Sequence, residues 1–175
     1  GAMQELAELA TKLQAPVIFA QDAIGVIPED HPFFAGHFSH YRSYPLCTEA
    51  LKRADVVLAV GMRAGAAELS DLGGRVAAEK MILIGFDDVA EARYKGDSQR
   101  VADPKLFMTA LLARLGNYQR PRNEALIKEM AEGKAAVRRS LAAQNEPHRN
   151  DRPIHPGVLM DAMNAVLNDS AVVSS

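Results

Sequence analysis

Tryptophan is absent from this chain, cysteine occurs once, and aromatic residues make up only 6 % of it. A single cysteine, Cys47, excludes an internal disulfide framework and an all-cysteine zinc site, and it suits a reducing compartment. No apolar run approaches the roughly 20 residues of a membrane span, and no basic-then-apolar leader opens the sequence. Charge of one sign is lacking too: 20 Lys and Arg stand against 22 Asp and Glu, a net charge of −2. That balance leaves no electrostatic footprint for nucleic acid or an anionic membrane. No G-x-G-x-x-G follows a strand-like run, and no GDG triplet occurs anywhere. What is present is 48 % hydrophobic residues in 175, enough for one globular domain with room for an appendage. The expectation is a soluble, cytoplasmic domain.

MQELAELATKL (3–13) carries Leu6, Leu9, Ala10 and Leu13 at helical spacing, and Pro16 stops the helix. PVIFA (16–20) reads as a short strand. Residues 21–46, with Gly25, Pro28, Pro32, Gly36 and Pro45, read as an irregular connection, and one this long is usually functional or interfacial. A helix is predicted over 46–54, then strands at DVVLAVG (55–61) and KMILIGF (80–86), a short helix in DVAEARY, and a weak strand at 98–103. Asp103 as N-cap and Pro104 in the first turn start a helix that runs to Leu115. Apolar strands without a polar face, set between helices, predict a doubly wound parallel α/β sheet. After Gly116 the texture turns polar. Residues 125–144 read as a connecting helix, 145–153 as a linker, and 154–175 as a helix followed by a strand. Both ends read as truncated.

Three stretches share one resemblance. They are Ile27-Pro28-Glu29-Asp30-His31-Pro32 with Gly36, Ala54-Asp55-Val56-Val57-Leu58-Ala59-Val60-Gly61-Met62-Arg63, and Pro153-Ile154-His155-Pro156 ahead of a helix. In this order and spacing they resemble the central domain of thiamine-diphosphate-dependent enzymes of the acetolactate synthase, pyruvate oxidase and benzoylformate decarboxylase type, over residues 4–115. The start of the following, C-terminal domain is resembled over 153–175. The resemblance implies a Rossmann-like fold of the FAD/NAD-binding type with six strands, the first missing here. It implies three segments: a central domain (1–116), a linker with a helix (117–152), and the first helix and strand of the diphosphate-binding domain (153–175). It also implies an enzyme that makes or breaks C–C bonds of 2-oxo acids with thiamine diphosphate and Mg²⁺. Both cofactors would be held by N- and C-terminal domains outside this chain, so no catalytic residue is expected here. A homodimer or homotetramer is implied as well.

Seven residues are candidates for a nucleotide, FAD or ADP. Ligands of open α/β sheets bind outside the carboxyl ends of the strands. Gly61, Met62 and Arg63 end one strand, and in relatives the arginine of this motif contacts FAD or ADP; the plain alternative is a turn glycine and a surface arginine. Phe86 and Asp87 end the next strand. Asp87 aligns with an acidic position near the nucleotide, but with Asp88 it can equally cap the following helix. Ala102 and Asp103 end the third, where relatives usually carry Gly-Asp close to adenine and a simple N-cap is the plainer reading. Departures weigh against FAD. Ala23-Ile24-Gly25 stands where FAD-binding relatives often have Gly-Lys-Gly, and Ala64-Gly65 where they often have Phe-Asp.

The remaining residues invite plainer readings. His31 reads as structural within its turn, His37 and His40 as loop residues rather than metal ligands, and Cys47 as a buried small hydrophobe. Lys128, Lys134, Arg138 and Arg139 alternate with glutamates as a solvated helix face. Two rival readings stay open: an independent Rossmann-like NAD-binding enzyme such as a deacylase or dehydrogenase, and a ligand-free interaction module.

Overall fold

The computed structural model describes residues 1–20, 23–38, 44–61, 76, 80–86, 99–168 and 171. Contacts divide the chain into two units, Gly1–Gly133 and Lys134–Ser175.

The first unit opens with α1 (Met3–Leu13), whose stripe buries Leu9 and Ala10. The helix ends because Gln14 takes the left-handed conformation, φ 49°, and its N–H turns back to the Ala10 and Thr11 carbonyls. Gln14 is itself buried, and both ends of its side-chain amide are bonded. Its Nε2 donates to the Thr11 carbonyl at 2.7 Å, and its Oε1 accepts from Asn123 N–H at 3.0 Å.

β1 (Val17–Phe19) follows and pairs in parallel with β2 (Phe34–His37), with an irregularity between Val17 and Ile18. β2 lies inside the stretch predicted to be irregular, so that expectation is corrected. Its four residues, Phe-Ala-Gly-His, have no strand periodicity, and pairing with β1 and burial of Phe34 and Ala35 hold them extended. Gly36 in β2 has φ +107°, and a Cβ there would stand 2.2 Å from Cδ2 of the Tyr44 ring. Only glycine allows both the conformation and the ring.

α2 (Pro45–Arg53) buries Cys47 and Leu51 and has Pro45 in its first turn. β3 (Val57–Val60), β4 (Met81–Gly85) and β5 (Gln99–Val101) then form a parallel sheet in that order, with Val57 opposite Met81 and Leu83 opposite Gln99. Crossovers between parallel neighbours are what a doubly wound α/β fold requires. The predicted helix in DVAEARY and the predicted final strand lie outside the described residues.

α3 (Pro104–Leu115) starts and stops where the sequence places it. It runs parallel to α1. Lys105, at the start of α3, pairs with Glu5 near the start of α1 at 3.6 Å, while Lys12, near the end of α1, donates to the Gly116 carbonyl after α3 at 2.9 Å. α4 (Glu124–Asn145) is begun by Asn123, whose Oδ1 accepts from Leu126 N–H at 3.0 Å. Its first turns belong to this unit: Met130 is fully buried, Leu126 and Ile127 pack on the core, and Glu129 pairs with Arg53 of α2.

Two clusters form the core. Ala10, Val17, Ile27, Phe33 and Phe34 sit between α1 and the first sheet. Phe38, Leu51, Ala59, Val76, Met81 and Leu83 lie around the second, with Ile18 of β1 packed on them. Ile18 therefore ties β1 to the second sheet's core.

The second unit contains the rest of α4, a 3-10 turn (Glu146–His148) and α5 (Pro156–Val166). The turn falls within the stretch read as linker. α5 buries no residue, and Leu159, Met160 and Val166 are exposed. Among the described residues, no helix is long and apolar enough to cross a membrane.

Gly36→Ala is expected to destabilise the first unit by about 2–4 kcal/mol, the combined scale of positive-φ strain and overpacking. Urea unfolding followed by circular dichroism checks this, and an unchanged midpoint would contradict the Gly36–Tyr44 contact.

Candidate functional site

Parallel strands end on one edge, so the turns after β3, β4 and β5 lie side by side. The ladder reaches that edge: Gly61 N–H donates to the Ile84 carbonyl at 2.7 Å, and Ala102 N–H to the Gly85 carbonyl at 2.8 Å. Of the seven residues singled out from sequence, Gly61, Phe86, Ala102 and Asp103 are described, and all four sit here. Met62, Arg63 and Asp87 lie outside the described residues.

Gly61 has φ +71°, a left-handed turn that takes the chain off β3. A Cβ on it would stand 3.7 Å from Pro104 Cγ, so the turn after β3 and the first turn of α3 are neighbours. Asp103 holds that turn of α3. Its backbone is extended (φ −62°, ψ 123°) and its Oδ1 accepts from Leu106 N–H at 2.9 Å. This is the N-cap reading of Asp103, and it uses one carboxylate oxygen. Phe86 is 70 % exposed, Leu106 70 % and Val101 58 %, so the edge carries apolar surface open to solvent.

A groove of about 550 Å³ lies at the end of the other sheet. Phe19, the last residue of β1, and Phe34 form part of it. Met3, Gln4 and Ala7 from the first turns of α1 and Ile24, Gly25, Ile27, Pro28 and Glu29 from the following loop complete the described lining. None of the four described candidates lines it, and sequence reasoning missed it. The available signal was Ala23-Ile24-Gly25, noted only as a departure: Ile24 is 74 % exposed and Gly25 has φ +81°. Because α1 is parallel to α3, both helices present their N-termini, with positive dipole ends, to the carboxyl edge of the strands.

Contacts bear on the readings of His31, His37 and Cys47. His31 Nδ1 accepts from Phe33 N–H at 3.2 Å, and its carbonyl accepts from Phe34 N–H at 3.0 Å, so it braces the turn before β2. His37 is the last residue of β2 rather than a loop residue; it stacks obliquely on Phe19 at 5.5 Å, and its buried Nε2 has no partner among the described residues. His40 lies outside the described residues. Among the described residues, no three metal-ligating side chains converge. Cys47 is fully buried, its thiol facing the carbonyls of Ala35 at 3.3 Å and His37 at 3.4 Å. Burial pushes the Cys47 thiol up to about 12, because the desolvated thiolate is disfavoured more than nearby hydrogen bonds favour it. The thiol is therefore uncharged at any physiological pH and is no nucleophile.

Two outcomes are expected. Asp103→Ala should cost about 1 kcal/mol through loss of the cap, read as a lower urea midpoint, while Asp103→Ser should keep most of it. Iodoacetamide at pH 8 should leave Cys47 unmodified in the folded chain and modify it fully in 6 M guanidinium, with mass spectrometry as the readout.

Comparison with known proteins agrees with this architecture. The family model described as "Thiamine pyrophosphate enzyme, central domain" matches residues 1–111. A Bacillus subtilis (strain 168) protein provisionally named as thiamine pyrophosphate-containing protein YdaP is 35 % identical over 60 residues. That alignment covers 34 % of this chain and 10 % of the relative, so this chain matches only a small part of its length. With a parallel α/β sheet and a family match across most of its length, the chain belongs to the central-domain family of thiamine pyrophosphate enzymes.

Proposed function

We propose that this chain is the structural and subunit-contact domain of a cytoplasmic thiamine-diphosphate-dependent enzyme acting on 2-oxo acids, and that it holds an adenine nucleotide, FAD or ADP. The observation that carries the nucleotide is the juxtaposition of three strand-end turns, at Gly61, Phe86 and Ala102–Asp103, on one edge beside the first turn of α3. Turns of this kind let backbone N–H groups approach phosphate oxygens, and a helix N-terminus adds favourable charge. The exposed Phe86 ring offers a flat apolar face for an aromatic base. Arg63, one position beyond Met62, is the natural cation for the diphosphate. The apolar groove lined by Phe19 and Ile24 favours a ligand with a second, uncharged part, or ADP alone with the groove covered by a neighbouring subunit.

Catalysis belongs to the rest of the enzyme. Thiamine diphosphate with Mg²⁺ would supply the electron sink for making or breaking a C–C bond next to a carbonyl. The family's diphosphate motif, GDG, does not occur in this chain. Within the proposal, residues 1–116 are the central domain, 117–152 the linker and 153–175 the start of the diphosphate-binding domain. The exposed side chains of Leu159, Met160 and Val166 on α5 would be covered by the remainder of that domain. A homodimer or homotetramer is the proposed assembly.

Native mass spectrometry of the chain, as purified and after addition of FAD, ADP or NAD, tests this. The expected result is an FAD or ADP adduct that Arg63→Ala weakens at least tenfold. Binding of NAD alone would favour an independent NAD-dependent enzyme, and no adduct with any of the three would favour a ligand-free module.

A further inference from the structure

The second unit contains a histidine pair that the family reading does not use. His148, at the end of the 3-10 turn, and His155, the N-cap of α5, stack face to face with ring centroids 4.4 Å apart and planes 14° apart. The two rings are committed to opposite protonation chemistry. His155 Nδ1 accepts from Gly157 N–H at 3.2 Å, so this nitrogen must carry no proton and the hydrogen of the neutral ring sits on Nε2. His148 Nδ1 lies 2.7 Å from Asp151 Oδ2, so there the ring donates to a carboxylate. A charged His148 gains from Asp151 and rests against the neutral face of His155. A charged His155 loses the cap contact its Nδ1 makes with Gly157 N–H. It also sets a cation at the positive end of the helix and opposes the neighbouring ring.

We propose that His148 and His155 form a proton-sensitive latch that holds the first turn of α5 when His155 is neutral and releases it when His155 takes up a proton. The other ionisable groups of the junction do not substitute for it. Glu146 and Arg149 pair with each other. Arg152 donates to the Asp151 carbonyl at 2.9 Å. Asp161, which also attracts Arg149, accepts from Asn145 Nδ2 at 2.9 Å and ties the middle of α5 to the end of α4. That tie does not depend on either imidazole, so acid opens the first turn and leaves the later turns in place. The release is felt at α4 because the turn lies directly against it: a Cβ on Gly157 would stand 2.0 Å from Asn145 Oδ1. The sign is fixed by the cap, because Nδ1 can accept from Gly157 N–H only while it carries no proton.

The test is a ¹⁵N–¹H and ¹³Cα NMR titration of the full chain from pH 8 to pH 5. The Gly157 amide and the His155 ring are expected to shift with one shared midpoint. Helical Cα shifts should fall by at least half at Gly157, Val158 and Leu159 while Met163–Val166 keep theirs. His155→Asn caps without titrating and should flatten the transition. His148→Phe keeps the stacked ring but cannot carry charge, and it should move the midpoint to higher pH. A Gly157 amide that stays in place across the range, a transition unaltered in His155→Asn, or an unmoved midpoint in His148→Phe would each overturn the latch.

Discussion

Because β3, β4 and β5 are hydrogen-bonded in parallel and in register, their carboxyl ends are forced onto one edge, and the described candidates Gly61, Phe86, Ala102 and Asp103 inherit their place from that ladder. The bonds from Gly61 to Ile84 and from Ala102 to Gly85 carry it to the rim. Neither turn can drift without breaking a backbone bond, and such a bond contributes about 0.5–1.5 kcal/mol. Gly61 leaves the sheet through a left-handed turn, and Asp103 enters α3 through an extended cap. The first turn of α3 is thereby placed next to Gly61.

The parallel pairing of α1 with α3 extends the same polarity to the first sheet. The Lys105–Glu5 contact at 3.6 Å joins an exposed lysine to a half-buried glutamate, and a pair still open to solvent is worth about 1 kcal/mol. It marks the register of the helices more than it stabilises them. Burial of Leu9 in α1 and Met108 in α3 contributes more, about 1.5–3 kcal/mol for each side chain. Gln14 completes the frame. A buried amide closes α1 with one end and holds Asn123 with the other, which fixes where α4 begins. Through Met130, the start of α4 belongs to the first unit, while its last residue, Asn145, bonds to Asp161 of α5 in the second.

The helices were legible in the sequence because their signals are local. The Leu6–Leu13 stripe, the Asp103-Pro104 start and the His155-Pro156 start each act within a few residues, and the structure has helices at all three. The apolar runs at 57–60 and 81–85 were legible as parallel strands, but not as fully buried ones: Ala59 is the buried residue of the first run, and Ile82 in the second is exposed. β2 was not legible. Its four residues owe their extended form to β1 and to a tyrosine ring seated on Gly36, neither of which shows in a local pattern. The strand-end positions were legible through the family resemblance, but the groove was not. Its walls come from α1, β1 and the Ile24–Glu29 loop, which only the folded chain brings together. Asp103 was readable as either a ligand contact or a cap, and the geometry gives it the cap. The His148–His155 stack left no sequence signal beyond two histidines seven positions apart.

The central claim is that the carboxyl edge of β3–β5 receives a nucleotide. Hydrogen–deuterium exchange of the full chain with and without saturating ADP addresses it most directly. The account predicts slower exchange in peptides that cover Gly61, Phe86 and Ala102–Phe107, with the 145–166 segment unchanged. Bound ADP with protection confined to other segments, or exchange identical in both samples, would contradict it.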